Sequence, residues 1–128
     1  MDKIRQSLTV RRERAVLVGA ILPDKESGDD LTELASLAES AGAIIVDRLK
    51  QKIHSPNPAF YIGKGKAEYL ALRVRMANAD VVIFDNDLTP SQIRELEEIV
   101  KVKVIDRSEL ILDIFATRAK TKQAKPSA

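Results

Sequence analysis

Four apolar segments recur along the chain, separated by stretches long enough for a helix: RAVLVGAI at 14–21, AIIVD at 43–47, VVIFD at 81–85 and VKVI at 102–105. A strand covered on both faces reads as a continuous run of Val, Ile and Leu rather than an alternation. The first segment has that character and reads as a central strand. The intervening stretches carry helical periodicity. Over residues 30–41, Leu31, Leu34, Ala35, Ala38 and Ala41 share one face, Glu33, Ser36, Glu39 and Ser40 the other, and Gly42 follows as a C-cap. Thr89-Pro90-Ser91-Gln92 joins an N-cap hydroxyl, a first-turn proline and a glutamine three residues on, the capping-box arrangement, ahead of Ile93, Leu96 and Val100. A further helix is expected over 108–120. Strand and helix in regular alternation predict an α/β fold, a small four-stranded and mainly parallel sheet with helices on both faces.

At 128 residues the chain has room for one core and one domain, and five aromatics leave that core to Leu, Ile, Val and Ala. The expected organisation is a basic N-terminal arm over 1–12, the α/β domain over 13–120 and a mobile basic tail over 121–128, which ends in Pro-Ser-Ala. With no cysteine there is no disulfide framework, thiolate metal site or thiol nucleophile. The N-terminus lacks an apolar leader, and no apolar run approaches the ~20 residues of a membrane helix. A cytoplasmic protein without a membrane partner is expected.

Charge is unevenly placed. Residues 1–14 hold five basic and two acidic side chains and residues 117–128 hold four basic and none acidic, so the body between is net acidic. Residues 48–75 run against that trend: Arg48, Lys50, Lys52, Lys64, Lys66, Arg73 and Arg75 face only Glu68. In an extended chain Arg48, Lys50, Lys52 and His54 fall on one side, Leu49 and Ile53 on the other. Pro56 and Pro58 then keep the chain extended up to Phe60 and Tyr61, a mixture suited to phosphate contact and base stacking.

Gly63-Lys64-Gly65-Lys66 runs directly into a helical pattern. The spacing is not that of a P-loop, Ala67 stands where a Mg²⁺-binding hydroxyl would be needed, and the third glycine of a dinucleotide fingerprint is missing. Three readings stay open: a glycine turn that caps a helix, a backbone-phosphate contact helped by the two lysines, and an ATP or GTP pocket. Elsewhere, DNDLT after the third apolar segment matches the first motif of the haloacid dehalogenase phosphotransferases, with Asp85 and Asp87 in the nucleophile and acid/base positions. Only 41 residues follow Asp87, too few for that family's later ligands, and a strand end, turn and helix start account for the same residues. No catalytic triad and no metal-binding spacing stands out, so no catalytic residue, metal or cofactor is assigned. Over 108–120 the apolar stripe of Leu110, Ile111, Leu112, Ile114 and Phe115 is too wide for a lone surface helix; Leu110, Ile111, Ile114 and Phe115 are expected to meet a second copy or a partner protein.

Four stretches together, ERAVLVGAILP, YIGKGKAEYL, VVIFDNDLTPSQIRELE and VKVIDRSELILDIFATRAKT, resemble in order and spacing the N-terminal domain of the HflX-type GTPases, over about residues 13–122. The resemblance implies an α/β unit that precedes a helical linker and a GTP-binding domain in a protein that binds the large ribosomal subunit, with ribosomal RNA as partner. Where that family continues into EGK-LQVELA and a later GxxxxGKS loop, this chain runs into KQAKPSA. GTP binding by the family's mechanism is therefore not expected. The combined expectation is a non-catalytic RNA-binding or ribosome-binding module, with Arg48, Lys50, Lys52, Phe60, Tyr61, Gly63, Lys64, Gly65 and Lys66 as its contact residues. Nucleotide binding at 63–66, or regulatory docking through 108–120, is the alternative.

Overall fold

The structure is a computed structural model that describes residues 9–24 and 31–124, with side chains described as far as Thr117. Strands and helices alternate as β1 (Arg14–Ile21), α1 (Thr32–Ser40), β2 (Ile44–Lys52), α2 (Lys64–Ala77), β3 (Val81–Phe84), α3 (Pro90–Val100), β4 (Lys103–Asp106) and α4 (Arg107–Ala124). All four strands are parallel, in the order β2-β1-β3-β4. The expected fold class is the observed one.

Handedness distributes the helices. The path from β1 to β2 moves one way across the sheet and the path from β2 to β3 moves back over β1, so right-handed crossovers must lie on opposite faces. Accordingly α1 and α2 are separated by the sheet. Ala67, Leu70, Ala71 and Val74 of α2 and Leu96 and Val100 of α3 bury against Val16, Val18, Ala20, Leu49, Val82, Phe84 and Val104. On the other face Leu34, Ala35 and Ala38 of α1 and Leu110 of α4 bury against Ala15, Leu17, Val81, Ile83 and Ile105. Residues alternating along β1 supply both cores, which is why its sequence is apolar throughout.

Local signals explain the boundaries. The capping box of α3 forms as expected, with Thr89 Oγ1 accepting from Gln92 N at 3.1 Å and Gln92 Oε1 accepting from Thr89 N at 2.9 Å. Gly42 ends α1 at φ +92°, a conformation that a side chain disfavours. The free edge of β4 is covered from α3, where buried Glu97 accepts from Val104 N at 3.0 Å.

Three expectations change. β2 runs to Lys52, past the strand end expected at Asp47, so the extended cationic stretch is part of the sheet. The last part of the basic arm expected over 1–12 is built into the domain from residue 9: Val10 is fully buried, Arg12 N donates to Gly42 O at 2.7 Å, and Thr9 O accepts from buried Lys103 at 2.6 Å. Residues 1–8 lie outside the described residues. At the other end α4 continues to Ala124, past the expected stop at 120, so only 125–128 of the expected tail lie outside the description. Among the described residues no helix is long and apolar enough to cross a membrane.

Candidate nucleic-acid interface

Alternation along β2 divides the cations. Leu49 is buried in the core beneath α2 and Ile53 packs at its margin, so Arg48, Lys50 and Lys52 project from the opposite side, as the period-two pattern predicts. Arg48 and Lys50 therefore look toward the α1 face, while Lys64 and Lys66 start α2 on the other. Lys66 reaches the strand end at its backbone, Nζ donating to the Lys52 carbonyl. Lys52, His54, Pro56, Gly63 and Lys66 line one open cleft of about 320 Å³, which Arg48 and Lys50 do not reach.

The far wall of the cleft is a loop with its own internal frame. Asn57 and Tyr61 exchange backbone hydrogen bonds at 2.8 and 3.0 Å, and Asn57 Oδ1 accepts from Ala59 N at 2.9 Å and Phe60 N at 2.7 Å. Gln92 Nε2 ties this unit to α3 by donating to Asn57 O at 2.8 Å. Phe60 and Tyr61 are half-buried and pack on the core under α2, so neither stands out as a free stacking platform. Burial pushes the Tyr61 phenol above its ordinary range; the Asn86 amide beside it opposes the shift and the Asp87 carboxylate adds to it. Tyr61 also holds φ +61°, a region costly for an aromatic residue.

Helix α2 begins at Gly63, whose φ of 90° and ψ of 156° only glycine adopts readily. No side chain caps this end and no acid occupies the first turn, so the leading N–H groups keep their positive end open to an anion. Gly65 lies inside the first turn without a positive φ, and a Cβ added at either Gly63 or Gly65 would meet nothing within 4 Å. The fold does not need the missing side chain at Gly65. What its absence provides is an unobstructed backbone beside Lys64, which is exposed.

The DNDLT stretch serves structure. Asp85 Oδ1 accepts from Arg107 Nη1 at 3.0 Å, Asp87 Oδ1 from Ser108 Oγ at 2.8 Å, and Asn86 uses both ends of its amide on the backbone of Ala20. This closes the seam between β1 and β3, the reversal point of strand order where open α/β sheets usually bind ligands. The cleft beside β2 lies away from it. Among the described residues no cluster of three or more His, Asp or Glu could hold a metal.

The family pattern described as "GTP-binding GTPase N-terminal" matches residues 28–116, which include β2, the cleft and all of α2. The chain belongs to this GTPase N-terminal family. The GTPase HflX of Caldanaerobacter subterraneus subsp. tengcongensis is 47% identical over 118 residues, covering 92% of this chain and 27% of the relative. GTPase HflX of Escherichia coli K12 is 42% identical over 113 residues, covering 88% of this chain and 26% of the relative. Among solved structures, SsGBP in complex with GDP superimposes with a TM-score of 0.66 at 25% identity, covering 88% of this chain and 32% of that one. The chain thus spans between a quarter and a third of the relatives it matches.

Family membership leaves the surface of α4 to be described on its own terms. Leu110, expected to face a partner, is fully buried, and Ile114 packs on the α1-side core, so these two stabilise the domain itself. Among the described residues of α4, the exposed large apolar side chains are Leu112 and Phe115. Leu112 borders an open groove of about 480 Å³ with Ile93, Arg94 and Glu109, between α3 and α4.

Proposed function

We propose that this GTPase N-terminal domain is a non-catalytic module that grips RNA through the cleft between the end of β2 and the start of α2. The observation that carries the reading is an uncapped helix N-terminus with no acid in its first turn, where Lys64 and Lys66 stand beside two open glycines at the edge of the cleft. A sugar–phosphate chain needs cations and bare N–H groups that it can approach closely, and this corner offers both. His54 extends the contact; Arg48 and Lys50, on the other face of the sheet, belong to a separate patch. By the family resemblance set out above, the RNA is that of the large ribosomal subunit.

Recognition here rests on charge and shape, because phosphate contacts position a protein without reading bases. A nucleotide site would instead need a loop that wraps the phosphates, and the turn at 63–66 is too short to do so. The two are separated by titrating the domain with purified large ribosomal subunits and, in parallel, with GTP and ATP. Saturable binding to the subunits, weakened in the double variant Lys64→Ala/Lys66→Ala, supports the proposal. Saturable heat with nucleotide and no binding to subunits overturns it.

A further inference from the structure

Helix α2 presents a second face that its packing does not use. Its buried residues, Ala67, Leu70, Ala71 and Val74, enter the core that α2 shares with the sheet and α3. On the opposite side, at intervals of three and four, stand Tyr69, Leu72 and Met76, with 44%, 43% and 74% of their surfaces exposed. Residues so spaced form one stripe, and Gly65 continues it by one turn at the helix start. Single exposed apolar residues are ordinary, but three in register along one helix make a contiguous patch.

The stripe is bordered by positive charge. Lys64 and Arg75 flank it on one side, Lys66 and Arg73 on the other, and Glu68 is the one acid in the helix. Its centre is held rigid: Arg73 grips Asp47 through two bonds at 2.7 and 2.6 Å, donates to the Tyr69 hydroxyl at 2.8 Å, and stacks 5.5 Å from that ring's centroid. A Tyr and an Arg fixed before contact are the side chains that most often anchor protein interfaces, since little rotamer freedom is lost on binding.

We propose that the outer face of α2 docks an amphipathic helix of a protein partner, one whose apolar ridge is flanked by Asp and Glu. The choice follows from chemistry. An RNA backbone satisfies the cations but offers Leu72 and Met76 nothing apolar to bury against. A second copy of this face would set lysine and arginine against lysine and arginine. An acid-flanked helix answers both the ridge and its borders, in the manner of helix-in-groove recognition.

The test follows the backbone amides of the full chain by NMR. The probe is a synthetic Leu/Glu amphipathic peptide of about 20 residues, long enough to hold a helix in water. Parallel titrations use the same peptide with Lys for Glu, a short RNA duplex, and phosphatidylglycerol vesicles. The proposal expects the Glu peptide to shift amides of residues 65–76, and expects Leu72→Ser, Met76→Gln and Arg75→Glu each to weaken that binding at least tenfold. These positions are exposed, so thermal unfolding of the variants should match the parent, and affinity for large ribosomal subunits should not change in the two apolar variants. No shift with the Glu peptide, equal shifts with the Lys peptide, or shifts of residues 69–76 by RNA or vesicles alone would overturn it, whereas RNA shifts confined to residues 63–66 belong to the cleft.

Discussion

Asn86 replaces a stretch of sheet with one side chain: its Oδ1 accepts from Ala20 N at 2.8 Å and its Nδ2 donates to Ala20 O at 3.1 Å. β3 ends at Phe84 while β1 runs on to Ile21, so without this amide the last rungs of the central strand would have no partner on that side. Asn86→Ala should therefore destabilise the domain by about 2 kcal/mol, the usual cost of leaving partly buried backbone groups unpaired. Asn86→Asp retains an acceptor and loses the donor, and should fall between the two. Urea unfolding monitored by circular dichroism measures both.

The two glycines at the start of α2 should respond in opposite ways. Gly63→Ala forces a side chain into a backbone region that it resists and should cost about 1–3 kcal/mol, although no atom stands in its way. Gly65→Ala has normal helical geometry and open space, so it should stabilise the fold by about 0.5–1 kcal/mol. If Gly65 is there for close approach of RNA, the same change should weaken binding. A raised melting temperature with reduced affinity in one variant is the expected signature.

How much of this was legible beforehand depended on how local each cause was. The strands, the α3 capping box and the alternation of the cations came directly from short-range pattern, and the order of elements followed from them. The division of the cations was not legible. It depends on β2 extending to Lys52 and on α2 crossing to the other face, both consequences of the assembled sheet. The half-burial of Phe60 and Tyr61 was missed for the same reason. Asn57 between two prolines was a readable sign of a side-chain-stabilised turn. Its clasp by Gln92, 35 positions away, could not be read from spacing. The burial of Val10 was hidden by the charged residues around it.

Gln92 has two duties, and one substitution should expose both. Gln92→Ala removes half of the capping box and the bond to Asn57 O, for a loss of about 1–2 kcal/mol. The second effect is local. Amide exchange at Asn57 and Tyr61, whose mutual bonds frame the loop, should accelerate more than exchange in β1, measured by hydrogen–deuterium exchange.

A pH effect is expected at the base of α4. Asp113 lies near Lys103, and burial raises its carboxyl above the ordinary range, with the Val10 backbone amide and the Lys103 ammonium opposing the shift. An acid that holds its proton more tightly when folded contributes stability below its unfolded pKa and loses it as the pH rises through the folded value. Asp113→Asn should therefore be more stable than the parent at neutral pH, with the difference vanishing in acid. Melting temperatures from pH 3 to pH 8 would follow this.

The account stands most directly on the salt dependence of binding to large-subunit ribosomal RNA. The slope of log affinity against log salt should fall by about one unit for each phosphate contact removed, in Lys64→Ala and again in Lys66→Ala, while Arg48→Ala leaves it nearly unchanged. Slopes that stay at the parent value in both lysine variants, or that fall equally for Arg48→Ala, would contradict the cleft as the place where this domain holds RNA.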